Sequence, residues 1–317
     1  MSCDVVVAGA AIIDVPVVPA DPAVFSAVST PAERIILTSG GDAMNEAVVL
    51  SRLGKQVRLI SRIGQDDAGA YLKNICNANG IETCFEEVPD MDTGVNVVLV
   101  DSSGERRFFT NPHGGLRALR AQDIKPSALQ DAKIFCFASI FVFPLISPQD
   151  LVQIFQMAQR QGCIVCADMT SPKHGETLTE LSDALQYLDY FFANELEASQ
   201  ITGVHTPEQM ASHILQTGVK HVVLKLGSSG CLLADANGMT RIPACPANCI
   251  DTTGAGDNFA AGFLSALLDG KTDIDCARYA NACASVSVES VGASAGVRHA
   301  AQVEARYQQF FGKKQAD

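Results

Sequence analysis

Short apolar runs that read as strands, each leading into a longer helix-like segment, recur along almost the whole chain. That alternation limits the fold more than any other feature. Val5-Val6-Val7-Ala8-Gly9-Ala10, Val57 to Ile60, Ile134 to Phe137, Ile164 to Asp168, Tyr190 to Ala193 and His221 to Leu226 are such runs. Strands apolar at successive positions are buried on both faces, as in a parallel sheet. Helical patterns follow from Asp42 to Leu53, near residues 148–161, from Asn194, after Asp257 and near residues 274–290. The pattern predicts an α/β fold, a mostly parallel sheet covered by helices on both faces. A ligand would then lie beyond the carboxyl ends of the strands. Two stretches break the rhythm. Residues 15–38 are rich in Pro and Val, and residues 83–112 hold extended runs around Ser102-Ser103-Gly104-Glu105, a hairpin signal. Together they are expected to form a small β-sheet lid on a single domain spanning residues 1–317.

Composition excludes several classes. With 47% hydrophobic and 18% charged residues the chain can fill a large core. A net charge of −12 and the lack of a basic stripe argue against a nucleic-acid partner. The eleven cysteines are scattered, and Cys163 and Cys166, three apart in a strand-like run, would face opposite ways. Buried thiols in a reducing compartment are expected rather than a metal site. His113, His174 and His221 belong to no HExxH-type pair. No apolar run approaches the roughly 20 residues of a membrane span, and the first residues lack a basic signal region. A cytoplasmic protein without membrane contact is expected.

The most specific stretch is Asp251-Thr252-Thr253-Gly254-Ala255-Gly256-Asp257-Asn258-Phe259, which runs into an apolar helix-like segment. A helix beginning near Ala255 leaves free amides and a dipole that favour an anion. Asp257, planted among those donors, is either an ordinary first-turn acid or a base beside an anion site, as phosphoryl transfer needs. Neither GxxxxGK[ST] nor GxGxxG occurs, which disfavours a P-loop ATPase or a Rossmann dehydrogenase. Three weaker stretches have two readings each. Gly40-Gly41-Asp42 with Asn45 is a turn with Asp42 as helix cap, or a surface for hydroxyls. Asn194-Glu195-Leu196-Glu197 is a capping box, or sets Glu197 near hydrated magnesium. Lys225-Leu226-Gly227-Ser228-Ser229-Gly230 is a hairpin turn, or a loop facing a nucleotide.

Asp251 to Phe259 resembles the second signature of the ribokinase-like (PfkB-type) carbohydrate kinases. Gly40 to Gly54, continuing through Gly64-Gln65-Asp66-Asp67-Ala68-Gly69, resembles the first. Asn194-Glu195-Leu196-Glu197 is similar to the family's NxxE motif, and Leu226 to Gly230 to its ATP-side loop. The resemblance runs nearly end to end. It implies a catalytic base at Asp257 and an anion hole from the amides of Gly254, Ala255 and Gly256. Glu197, with Asn194, would organise Mg²⁺ through water. Asn194, Lys225, Gly227, Gly230 and Asn281 would lie along ATP, and Asp14, Gly41, Asp42 and Asn45 would meet the acceptor. Many members bind a monovalent cation such as K⁺, for which Asp251, Thr253, Ser287, Ser290 and Gly292 are the candidates by position. In several members the lid also forms a homodimer interface. One departure concerns Asp168-Met169-Thr170-Ser171-Pro172-Lys173, where many relatives have Asp-x-Asn-x-Arg; Lys173 would substitute as a point charge.

An aspartate near its ordinary pKa of about 4 is a weak base at neutral pH, so proton transfer would have to come late. The expected acceptor is an unphosphorylated sugar, sugar acid or polyol. A phosphorylated sugar would need a cation cluster, for which Arg34, Arg106, Arg107 and Arg117 are available, Arg107 being placed with the acceptor residues. A nucleoside acceptor is disfavoured, because the lid supplies no obvious aromatic pair. A non-enzymatic sugar-binding regulator on the same fold is the reading from a different class.

Overall fold

The computed structural model describes residues 3–101, 105–111, 114–173 and 175–312. The turn expected at Ser102-Ser103-Gly104 lies outside them, as do His113 and His174.

The first half contains β1 (Cys3–Ala8), β2 (Ile12–Val18), β3 (Arg34–Ile35), β4 (Thr38–Gly40), α1 (Asp42–Arg52), β5 (Val57–Gly64), α2 (Asp67–Ala78), β6 (Glu82–Val88), β7 (Val95–Val100) and β8 (Arg106–Thr110). Then come β9 (Ala132–Phe137), α3 (Pro148–Arg160), β10 (Ile164–Asp168), α4 (Leu178–Leu185), β11 (Tyr190–Asn194), α5 (Glu195–Thr202), α6 (Pro207–Leu215) and β12 (His221–Lys225). The chain finishes with β13 (Cys231–Asp235), β14 (Gly238–Ile242), α7 (Ala255–Leu268), α8 (Asp273–Ser287) and α9 (Ala300–Phe311).

Two sheets result. The larger has nine strands in the order β14-β13-β12-β11-β10-β9-β1-β5-β6. From β6 to β12 every neighbour pair is parallel, and β13 and β14 close that edge antiparallel. One face packs on α1, α2, α7, α8 and α9 through residues such as Leu50, Leu72, Phe263, Cys283 and Val303. The other face meets α3, α4, α5 and α6 through Phe155, Leu185, Ala198 and Ile214. Burying both faces is what the unbroken apolar runs require, and Val5, Val6 and Val7 are fully buried.

The smaller sheet has five strands, β3-β2-β7-β8 with β4 also on β2. Its boundaries differ from those expected. It starts at Ile12, because the chain leaves the main sheet at Gly9 and enters β2 directly. Its second part starts at Val95, not 83, because β6 pairs in parallel with β5 over Glu82 to Val88. That strand, Glu-Thr-Cys-Phe-Glu-Glu-Val, is polar and half-buried because it is the edge of the large sheet, so it carries no core-strand signature. No helix among the described residues is long and apolar enough to cross a membrane. Cys163 and Cys166 are buried, free thiols, and burial pushes the Cys166 thiol well up.

Candidate active site

Strand order reverses at β1, which has β5 on one side and β9 on the other, each in parallel. Connections diverge there, and a crevice opens beyond the carboxyl ends of the strands. Asp168 ends β10, Asn194 ends β11 and Lys225 ends β12. The start of α7 faces this crevice.

Gly254 caps α7 with a left-handed backbone, φ +70°. A side chain there would be strained by that φ, and its Cβ would lie 2.5 Å from the Ala293 carbonyl oxygen. Asn258 locks the turn, its side-chain amide donating to the carbonyls of Gly254 (2.7 Å) and Ala293 (2.6 Å). The amide of Ala255 does not face outward as expected; it donates to the Thr252 carbonyl at 3.2 Å. Amides of Gly254, Gly256 and Asp257 have no partner among the described residues, so Asp257 brings a donor as well as a carboxylate. Space at Gly256 is limited by Lys225, whose Nζ would lie 3.3 Å from a Cβ at that position.

The Asp257 carboxylate accepts from the Asn45 side-chain amide at 2.7 Å, joining α7 to α1. Burial raises its pKa to about 6; the bond from Asn45 and the charge of Lys225 oppose that shift, whereas Asp168 and Asp14 add to it. Asp257 is therefore a stronger base than an ordinary aspartate. Asp42 is not the cap of α1: Gly41 is, with no side-chain bond, and Asp42 is the first helical residue. Its carboxylate accepts from the hydroxyl of Ser139, a residue at φ +61° just beyond β9. Burial drives its pKa well up, aided by Asp257 and Asp168.

Lys225 is the counter-charge. Its ammonium donates to both carboxylate oxygens of Asp168, at 2.9 and 2.6 Å. Burial opposes its charge, yet Asp168, Glu197 and Asp257 together hold its pKa above the ordinary lysine value. Glu197 forms the expected capping box: its carboxylate accepts from the Asn194 amide at 2.8 Å, and its own amide donates to the Asn194 side chain at 2.9 Å. Burial raises Glu197 to about 7, partly offset by Lys225. Carboxylates thus outnumber cations, and the surplus fits a bound divalent cation. Among the described residues no three His, Cys, Asp or Glu side chains converge as a metal cage.

Two cavities meet here. One of about 730 Å³ is lined by Asn194, Glu197, Lys225, Gly227, Gly230 and Asn281, among others. Ala244, Pro246, Ala247, Ala284 and Val288 give the same cavity an apolar slot. Asn281 is buried on α8, with its amide 3.4 Å from the Cys231 sulfur. A second cavity of about 1050 Å³ holds Asp14, Gly41, Asn45, Asn96 and Phe108. Asp42, Thr252, Ala255, Gly256 and Asp257 line both.

Asp14 accepts from Asn96 at 3.2 Å and fits only because residue 40 is glycine, where a Cβ would lie 2.0 Å from its carboxylate. The side-chain oxygens of Asn45 and Asn96 are buried without partners. Unpaired buried acceptors in a cavity suit hydroxyl donors on a ligand. No local signal in the sequence marks Ser139 or Asn96, and Asp168 stands out there only as the start of the segment that departs from Asp-x-Asn-x-Arg, with nothing to show that it pairs with Lys225. Lys173 does line the second cavity, as does Arg117. Arg107 does not; it is exposed and pairs with Glu105 at 3.3 Å. The lid does supply one aromatic, Phe108, and Phe141 and Phe143 line the same cavity.

Among the residues expected to hold a monovalent cation, Asp251 is already paired with a cationic side chain of the protein. Asp251 accepts from the Thr253 amide (2.9 Å), the Thr253 hydroxyl (2.6 Å), the Gly292 amide (2.9 Å) and the guanidinium of Arg106. The Ser287 hydroxyl donates to the Ala284 carbonyl at 2.8 Å, and the Ser290 amide to Ser287 at 3.4 Å.

Comparison with known proteins agrees with this geometry. Residues 3–300 match the pattern of the pfkB family carbohydrate kinases. The chain is 30% identical over 264 residues to the ribokinase of Haemophilus influenzae, covering 81% of this chain and 83% of that one. It is 29% identical over 268 residues to the aminoimidazole riboside kinase of Salmonella typhimurium, covering 80% and 83%. Arabidopsis thaliana ribokinase, solved with ribose and ATP, superposes with a TM-score of 0.80 at 26% identity, covering 97% of this chain and 99% of that one. The chain belongs to the PfkB family of carbohydrate kinases.

Proposed function

We propose that the chain transfers the γ-phosphoryl group of Mg-ATP to a hydroxyl of a small sugar, sugar acid or polyol. The observation that carries this is the shared wall: Asp257 and the start of α7 stand between a nucleotide-sized cavity and a hydroxyl-binding one. The adenine lies in the apolar slot near Asn281, and the phosphates run past Gly227 and Gly230 toward Lys225. The acceptor is held by Asp14, Asp42, Asn45 and Asn96, with one hydroxyl beside Asp257. That oxygen attacks the γ-phosphorus as the bond to the β-bridging oxygen breaks; Asp257 takes the hydroxyl proton and ADP departs. Amides of Gly254, Gly256 and Asp257, with Lys225, face the charge that spreads over the equatorial oxygens. Mg²⁺, near Glu197 and Asn194, supplies charge neutralisation of the phosphates.

One observation favours an acceptor with an anionic end. Arg117 and Lys173 line the second cavity, alongside Glu176 and Glu180. ADP release across neutral sugars, polyols, sugar acids, sugar phosphates and nucleosides tests both points. Acceptor-dependent ADP release supports the kinase. Ligand-induced stabilisation without ADP release from any acceptor would favour the sugar-binding regulator instead. Lys173→Ala should raise KM for anionic acceptors roughly tenfold while leaving neutral ones within about twofold.

A further inference from the structure

Asp251 places a negative charge beside the anion-binding end of α7. Left bare, it would repel the phosphoryl group that the free amides attract. A monovalent cation is one remedy; a cationic side chain of the protein is another. At the Asp251 carboxylate one oxygen already accepts from the Thr253 amide, the Thr253 hydroxyl and the guanidinium of Arg106, and the other from the Gly292 amide, so a cationic side chain stands where a counter-ion would.

Arg106 comes from a different part of the molecule. It is on β8, the outer strand of the small sheet, opposite Val100 in register. Its guanidinium reaches Asp251 with both side chains partly shielded, 27% and 14% exposed. Two residues on, Phe108 of the same strand lines the acceptor cavity. Residues two apart on a strand face the same side, so one edge of the lid carries both contacts.

We propose that Arg106 is a tethered replacement for the monovalent cation at Asp251. It neutralises the carboxylate only when the small sheet lies over the acceptor cavity. Asp251 in turn braces two segments that shape the anion hole, Thr253 just before Gly254 and Gly292 just before Ala293. Acceptor binding under the lid therefore completes the charge balance where the phosphoryl group passes. Arg106 is a positioning residue that touches neither substrate. The enzyme is consequently indifferent to K⁺. This inference rests on the kinase reading for its catalytic consequence, but its charge chemistry can be tested without turnover.

The test compares the full-length protein with Arg106→Ala and Arg106→Lys, each in potassium chloride and in tetramethylammonium chloride at equal ionic strength. Melting temperature and Mg-ADP affinity are measured for all, and kcat and KM with an acceptor identified by ADP release. The wild type should show no K⁺-specific change in any readout. Arg106→Ala should lose kcat roughly tenfold to a hundredfold in tetramethylammonium, and K⁺ should restore part of kcat and raise the melting temperature. Arg106→Lys should keep part of the activity in both salts. A K⁺-activated wild type would overturn the proposal, as would an Arg106→Ala protein equally active in both salts or equally impaired in both. If Arg106→Ala does not fold, Arg106→Lys and the wild-type comparison decide. If no acceptor yields ADP, the kinase reading fails, and the melting and ADP-binding comparison still judges Arg106.

Discussion

The proposed chemistry turns on Asp257, and the environment of that residue corrects the simple view of it. An exposed aspartate would be a poor base at neutral pH. Here burial lifts its pKa to about 6 against the opposing bond from Asn45. A base must be unprotonated to act, so kcat/KM should fall about tenfold per pH unit below about 6 and level off above it. A pH–rate profile of the wild type checks this. Removing the Asn45 amide takes away an interaction that favours the charged form, so Asn45→Leu should shift that limb to higher pH. A limb that stayed put would show that Asn45 does not tune the base. Arg106 and Arg107 illustrate what sequence alone withholds. Adjacent strand residues point to opposite faces, and only the register of β8 decides that Arg106 turns inward and Arg107 outward.

Among the elements, α7 was readable because its information is local: a glycine turn, free amides and an acid in the first turn lie within a few residues. Gly254→Ala should cost about 1–3 kcal/mol, since φ +70° and the Ala293 carbonyl both oppose a side chain. A lowered melting temperature together with weakened binding of anions at the site is the expected outcome. Helix α1 was read less well. Its polar residues looked like a capped amphipathic helix, but Asn45 and Glu46 are buried between the sheet and α7. The partners of Asp42, Asp14 and Lys225 lie 97, 82 and 57 residues away, at Ser139, Asn96 and Asp168. Strand order brings them together, and periodicity cannot report it. Asp168→Ala leaves the Lys225 ammonium buried and unpaired, and should destabilise the protein by about 3–5 kcal/mol in denaturant titrations.

Across the whole molecule, the alternation of short apolar runs and helices was enough to give the parallel sheet and the place of the crevice. The split between sheets was harder, because edge strand β6 is half-buried like the small-sheet strands β2 and β7 and has no continuous apolar run to mark it as part of the large sheet. Acid crowding around the crevice has a global consequence through Glu46. This side chain is fully buried, one of its oxygens has no partner, and burial raises its pKa well above the ordinary value. A raised folded-state pKa means that the native state holds the proton more tightly. The stabilisation is fully present below the unfolded value near 4.5 and is lost as pH rises through the folded value. Glu46→Gln removes that titration, so its melting temperature should decline less than the wild type's on the way to alkaline pH. Parallel declines would contradict a protonated Glu46.

The most direct test of the account is acceptor-dependent ADP release by Asp257→Asn set against the wild type, with Mg-ADP binding followed by calorimetry on the same preparations. Asparagine keeps the shape of the side chain and removes its basicity. The account predicts turnover lowered by about 10²–10⁴ with Mg-ADP affinity within a few-fold of the wild type's. Wild-type turnover by Asp257→Asn would contradict it.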